Sequence, residues 1–165
     1  MQGASAGGLI AGADIDGFLV GVGNSRFIFP LDTVVEVIAA QVADIQTDRI
    51  AQALALARRF NALVVLKGCG SVVAAPDGAW WINTSGNPAM ATAGMGDVLT
   101  GLIVALLAQG WPARTALLAG VHLHGCAADR FCAEAGVQAG LLAGDILTAA
   151  RRGLNRWLGV AEHRP

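Results

Sequence analysis

The run NTSGNPAMATAGMGDVLTGLIVALLAQG, residues 83–110, is polar and glycine-bearing in its first half and continuously apolar in its second. Gly86, Gly94 and Gly96 precede a single carboxylate, Asp97, and Gly101 lies within the apolar run that follows. The pattern predicts a glycine-rich turn leading directly into a helix. Such a junction presents backbone N–H groups that have no acceptor inside the helix, together with the positive end of the helix dipole. A phosphate or a developing oxyanion suits that position. A carboxylate in the first turn can act as general base beside the bound anion. The plainer alternative for Asp97 is an acid that only complements the dipole. Two glycines as close as Gly94 and Gly96 favour the chemical reading, since an ordinary helix start does not need them.

Upstream of this run the chain alternates helix and strand. Thr47 or Asp48 is a good N-cap. Ile50, Ala53, Leu54 and Ala57 then recur at helical spacing, and Arg58 and Arg59 stand near the C-terminal end. Leu63 to Leu66 is an unbroken apolar run, as expected for a strand buried on both faces of a parallel sheet. Helix followed by buried strand indicates an α/β fold. Lys67-Gly68-Cys69-Gly70-Ser71 comes directly after that strand, where α/β proteins place ligands, and is a second candidate anion loop. Its plain alternative is a tight connection to the next strand. Val72–Ala75 and Ala79–Asn83 are expected to form a hairpin around Pro76-Asp77-Gly78.

Downstream, Trp111-Pro112 opens a helix expected to run through Leu117, Val121 and Leu123 towards Glu134. Asp145 opens a last helix with Ile146, Leu147, Ala150, Leu154 and Trp157 on one side. Near the N-terminus, Ile15–Val22 and Arg26–Phe29 read as strands. The segment Asp32–Ala43 fits a helix, although its valines also suit a strand. Residues 159–165 read as a frayed tail.

Composition narrows the function classes. The chain has 165 residues, 55% of them hydrophobic and 14% charged, with eleven basic and twelve acidic side chains. Near-zero net charge argues against nucleic acid as a partner. No apolar run is both long and uninterrupted enough to cross a membrane, and the first residues lack a basic region. Cys69, Cys126 and Cys132 show neither a disulfide framework nor metal-ligand spacing. A cytoplasmic protein is therefore expected, and the excess apolar surface predicts a homo-oligomer. His122 and His124 are two apart on a helix and do not share a face, so a metal pair is not expected and a buried, hydrogen-bonded histidine is. The four tryptophans are expected to cover the core.

At this point the motifs carry a resemblance. VVLKGCGSVVAAPDG, NTSGNPAMATAGMGDVLTGLIVALLAQG, GVHLHGCAADR and LLAGDIL resemble the C-terminal part of the ADP-dependent NAD(P)H-hydrate dehydratases, over roughly Asp44 to Leu158. The resemblance implies a ribokinase-like α/β fold, here a truncated one: a partial parallel sheet flanked by helices. It implies a reaction in which ADP phosphorylates the hydroxyl of NADHX or NADPHX and phosphate is then eliminated, regenerating NADH or NADPH. The partners implied are an adenine nucleotide, the hydrated cofactor and Mg²⁺.

Residue by residue, the resemblance puts Asp97 at the reacting hydroxyl and Lys67, Gly68, Cys69, Gly70, Ser71 and Gly96 against the nucleotide. Asn87, Gly94 and Met95 are placed at the anion hole and substrate. No protein ligand set for a metal is implied. Some positions depart from the family's pattern. Ala93-Gly94-Met95-Gly96 stands where the family has Gly-Gly-Thr-Gly, so a hydroxyl is lost at Met95. Ser71 and Ser85 stand at or beside positions that are Thr in the family. The family's upstream Thr-Pro-His-Pro-Gly-Glu segment and its substrate-binding strands are missing. Residues 1–43 are therefore expected to be a divergent segment and residues 44–165 the ribokinase-like part. Within the former, Asp16 to Ile38 resembles the regulatory, adaptor-docking domain of chemotaxis histidine kinases. The alternatives this leaves open are a ribokinase-like kinase of a small alcohol, and a nucleotide-binding remnant or adaptor without catalysis.

Overall fold

The computed structural model describes residues 18–22, 25–29 and 47–159. The expected Asp32–Ala43 helix, the first thirteen residues and the tail beyond Gly159 lie outside the described residues. The chain divides into two compact units: residues 1–68 with 72–81, and residues 69–71 with 82–165.

Among its described residues, the first unit is a small sheet with one helix. Strands β1 (Phe18–Val22), β2 (Ser25–Phe29), β3 (Val64–Leu66), β4 (Val72–Ala74) and β5 (Trp80–Ile82) follow one another in sheet order as in sequence, and β5 leads the chain into the second unit. β1 pairs with β2 from Phe18 opposite Phe29 to Val22 opposite Ser25. Helix α1 (Arg49–Arg59) starts at Asp48, whose Oδ1 accepts the Ala51 N–H at 2.9 Å, as the capping pattern predicts. Its Ala53 and Ala57 are buried with Val64, Leu66, Val72 and Ala74 in one cluster. Small alanines on the helix let it lie close on a strand pair that is buried at every position. The β4–β5 turn is built as expected: Asp77 Oδ1 accepts the Ala79 N–H at 3.0 Å, and the Gly78 N–H donates to the Ala75 carbonyl.

The expected α/β class is present, but the strand direction differs from expectation. The ladders β1–β2, β2–β3 and β3–β4 are all antiparallel, with Val64 opposite Ala74 and Leu66 opposite Val72. For β1–β2 and β3–β4 the cause is connection length. A parallel neighbour requires a crossover of a dozen or more residues, whereas only Lys67–Ser71 separates β3 from β4. Full burial of β3 suggested a parallel strand because both arrangements give the same apolar run.

The second unit is helical. A short 3₁₀ turn (Pro88–Met90) is followed by α2 (Met95–Ala108), α3 (Ala113–Ala135) and α4 (Ala143–Trp157). α3 ends at Gly136, whose positive φ of 66° makes a left-handed cap, and the Val137 N–H donates back to the Cys132 carbonyl. The start of α4 is held by Asp145, whose Oδ2 accepts the Leu142 N–H at 2.9 Å. Ala89, Met95, Leu123, Ala128, Leu141 and Ile146 share one buried cluster. Leu147 was expected on the inner side of α4 but is 53% exposed, because Ile146, Ala149 and Ala150 form the buried stripe.

Candidate functional site

The turn ahead of α2 forms as its glycines require. Gly94 occupies the N-cap position with φ 82° and ψ −12°, in the left-handed region, where a side chain would be strained. A Cβ there would also lie 3.1 Å from the Ala143 Cβ. The Gly94 carbonyl accepts the N–H groups of both Asp97 and Val98 at 3.1 Å. The N–H groups of Met95 and Gly96, the first two of the helix, have no intrahelical acceptor. Among the described residues they donate to nothing. Met95 and Gly96 are buried, and the Met95 side chain joins the core cluster, so it contributes its backbone to the turn. Asp97 is exposed in the same first turn. Two free N–H donors and a carboxylate therefore share one helix start. Chemically, that turn can bind an anion with its backbone and take a proton with Asp97.

The loop before this turn is anchored on α3. The Gly86 N–H donates to Asp129 Oδ2 at 2.8 Å, and Asn87 Nδ2 donates to Asp129 Oδ1 at 2.9 Å. Asn87 Oδ1 accepts the Ala89 N–H at 3.0 Å, capping the 3₁₀ turn, and the Cys132 thiol lies 3.7 Å from it. Asn87, expected at the anion hole, thus has both ends of its amide engaged within the protein. Ser85 Oγ sits 2.9 Å from Asn83 Oδ1 and 3.0 Å from the His122 carbonyl oxygen. Gly125 is what allows this approach: a Cβ on it would meet the Ser85 backbone at 2.6 and 2.7 Å. Asp129 had no role in the sequence reading. The signal was present, since His122, Gly125, Asp129 and Cys132 are spaced three, four and three apart and so face one way on a helix.

The other expected nucleotide residues are divided between the units. Lys67, half-buried, and Gly68, exposed, belong to the first unit; Cys69, exposed, with Gly70 and Ser71, half-buried, to the second. Within the first unit, Arg49 reaches the end of β3, its Nη2 donating to the Leu66 carbonyl at 3.0 Å. The same guanidinium lies 2.7 Å from where a Gly68 Cβ would be. Arg49, like Asp129, had no role in the sequence reading. Within the second unit, the Asn83 N–H donates to the Ser71 carbonyl at 2.8 Å. His124 is buried while His122 is exposed and stacks on Trp157, with ring centroids 5.9 Å apart. The two histidines take different faces, as their spacing predicts. Trp157 is 47% exposed and Trp80 46%, so neither covers the core as expected. The three cysteines form no disulfide, and no group of three or more His, Cys, Asp or Glu side chains converges among the described residues.

A family profile described as NAD(P)H-hydrate dehydratase matches residues 34–152, well over half of the chain, including the whole run from Lys67 through Asp97 to Asp129. The chain belongs to the NAD(P)H-hydrate dehydratase family. It is 52% identical over 115 residues to the ADP-dependent (S)-NAD(P)H-hydrate dehydratase of Neisseria meningitidis serogroup B, covering 70% of this chain and 39% of that protein. To the bifunctional NAD(P)H-hydrate repair enzyme Nnr of Escherichia coli it is 43% identical over 118 residues, covering 72% of this chain and 23% of that one. A crystal structure of the ADP/ATP-dependent NAD(P)H-hydrate dehydratase from Bacillus subtilis, co-crystallised with ATP and Mg²⁺ and soaked with CoA, superposes with a TM-score of 0.66 at 34% identity. The match covers 72% of this chain and 43% of that one. The ribokinase-like fold of these dehydratases is therefore that of the matched part, and the chain spans well under half the length of the relatives it matches. No helix among the described residues is long and apolar enough to cross a membrane.

Proposed function

We propose that the chain performs ADP-dependent dehydration of NADHX or NADPHX, a repair reaction on damaged nicotinamide cofactor. The observation that carries this reading is the Gly94–Asp97 turn, where two acceptorless N–H donors and one carboxylate share a helix start inside a family match. In the proposed reaction Asp97 takes the proton of the hydrate hydroxyl as that oxygen attacks the terminal phosphorus of ADP. AMP departs, and the phosphate ester then loses inorganic phosphate together with a proton from the adjacent ring carbon, which passes to solvent as that C–H pair becomes the double bond of the reduced nicotinamide. The Met95 and Gly96 N–H groups and the α2 dipole stabilise negative charge as it builds on the transferred group. Lys67, Gly68, Cys69, Gly70 and Ser71 are proposed to hold the nucleotide.

Mg²⁺ is commonly held by one or two carboxylates together with substrate phosphates, which fits a chain whose described residues offer Asp97 but no cluster of three ligands. Bound with the nucleotide, it would supply neutralisation of the phosphate charge.

The test is direct. Purified chain with ADP, Mg²⁺ and NADHX is expected to restore the near-ultraviolet absorbance of NADH, and parent protein that binds ADP without doing so overturns the catalytic reading. That second outcome favours a nucleotide-binding remnant or adaptor. We also propose that residues 1–43 are a divergent segment on a nucleotide-binding part running from 44 to 165. Retention of ADP binding by a chain starting at residue 44 supports that boundary. Its loss places β1 and β2, which pair onto β3, within the nucleotide-binding part. A cytoplasmic location and self-association through exposed apolar side chains such as Leu142 and Leu158 complete the proposal. Sedimentation of the chain tests the latter.

A further inference from the structure

Asp129 presents two carboxylate oxygens to two donors that belong to consecutive residues, the Gly86 N–H and Asn87 Nδ2. Asn87 in turn uses its remaining oxygen on the Ala89 N–H, at the start of the 3₁₀ turn. From there Ala89 and Met95 enter the same buried cluster, so the segment between the anchor and the Gly94 turn is held at both ends. We propose that Asp129 is a positioning residue for Asp97: it fixes the Gly86–Asn87 loop, and through that loop the turn that carries the carboxylate. The proposal rests on the catalytic reading of Asp97 for its kinetic consequence, but not for its structural one.

The chemistry requires a carboxylate. An amide side chain at position 129 would offer one oxygen and one NH₂ group, so one of the two loop donors would face another donor. Flipping Asn87 to accept from that NH₂ group would turn its own NH₂ towards the Ala89 N–H and move the mismatch there. A carboxylate at position 87 alone would set two carboxylates against each other. Exchanging both side chains restores every bond. The amide then on α3 accepts from Gly86 and donates to the carboxylate then on the loop, whose second oxygen still caps Ala89. A half-buried donor left facing a donor is costly, whereas a network with its roles exchanged is not.

The experiment uses the full chain and three variants: Asp129→Asn, Asn87→Asp and the double exchange. With ADP, Mg²⁺ and NADHX, Asp129→Asn is expected to lower kcat by about 100-fold with the KM for ADP unchanged, the scale of loss for a catalytic group displaced by about 1 Å. The double exchange is expected to be at least about tenfold more active than either single variant, a coupling in the range of residues sharing one network. Parent kcat in Asp129→Asn, or no recovery in the exchange, overturns the proposal. Should the parent chain show no turnover, the proposed function fails by itself and amide exchange decides this inference. The Asp97 and Val98 N–H groups, both bonded to the Gly94 carbonyl, are then expected to exchange faster in Asp129→Asn and to slow again in the double exchange. Unchanged exchange at those two amides overturns the proposal whatever the activity.

Discussion

The two glycine-bearing loops of this chain are held by different means. Lys67–Ser71 is a five-residue link leaving β3, and its anchors include two bonds to backbone carbonyls: Arg49 to the Leu66 oxygen and the Asn83 N–H to the Ser71 oxygen. Asn83–Asp97 is held instead by side chains of a helix about forty residues further on, with Asp129 bonding Gly86 and Asn87, and with Gly125 admitting Ser85. A short link between paired strands takes its shape from the ladder it joins. The twelve residues Asn83–Gly94 ahead of α2 have no ladder, and ordering them requires partners from elsewhere to offset the loss of backbone entropy. The loop that carries the proposed base is therefore anchored by residues about forty positions away, as expected where geometry must be held closely for chemistry.

Four substitutions test this contrast. The largest effect is expected from Asp97→Asn, which should lower kcat by about 10²–10⁴-fold, the usual contribution of a positioned acid or base. ADP binding should be spared, as followed by calorimetry. Lost ADP affinity with intact turnover would reverse the roles assigned to the two loops. Next comes Gly125→Ala, which should destabilise the second unit by about 3 kcal/mol in urea unfolding, since the new methyl meets Ser85 backbone that cannot step aside. An unchanged midpoint would mean that α3 does not set the loop. Lys67→Ala should raise the ADP dissociation constant about tenfold and leave kcat alone, the expected loss of one charge-assisted phosphate contact of roughly 1.5 kcal/mol. A fall in kcat instead would join the first loop to the chemistry. The smallest effect is expected for Asp48→Ala, about 1 kcal/mol off the stability of the first unit through the lost cap on Ala51, with ADP binding at saturation unaffected.

What local pattern could specify was legible. The α1 cap at Asp48, the Pro76–Gly78 turn, the Gly94 helix start and the last two helices stand where spacing and turn chemistry put them. Each depends on groups a few residues apart in the chain. The strand direction was not legible from burial, because a fully buried Val-Val-Leu strand reads alike in either ladder, although the five-residue link that forbids a parallel crossover was visible. The inner stripe of α4 was drawn one residue too wide at Leu147, since an apolar residue beside the stripe matches the pattern whether or not a neighbour covers it.

By itself, then, the sequence determined the α/β character, the family motif and the presence of Asp97 behind a glycine turn, all of which reside in contiguous residues. Only the tertiary structure decided that Asn87 serves the loop's own hydrogen bonds, that Asp129 holds that loop, and that Gly125 exists to let Ser85 approach α3. The loop's bonds to α3 join residues 37 to 43 positions apart. Spacing along a chain records which side of a helix a residue faces, but not which distant loop is packed against it.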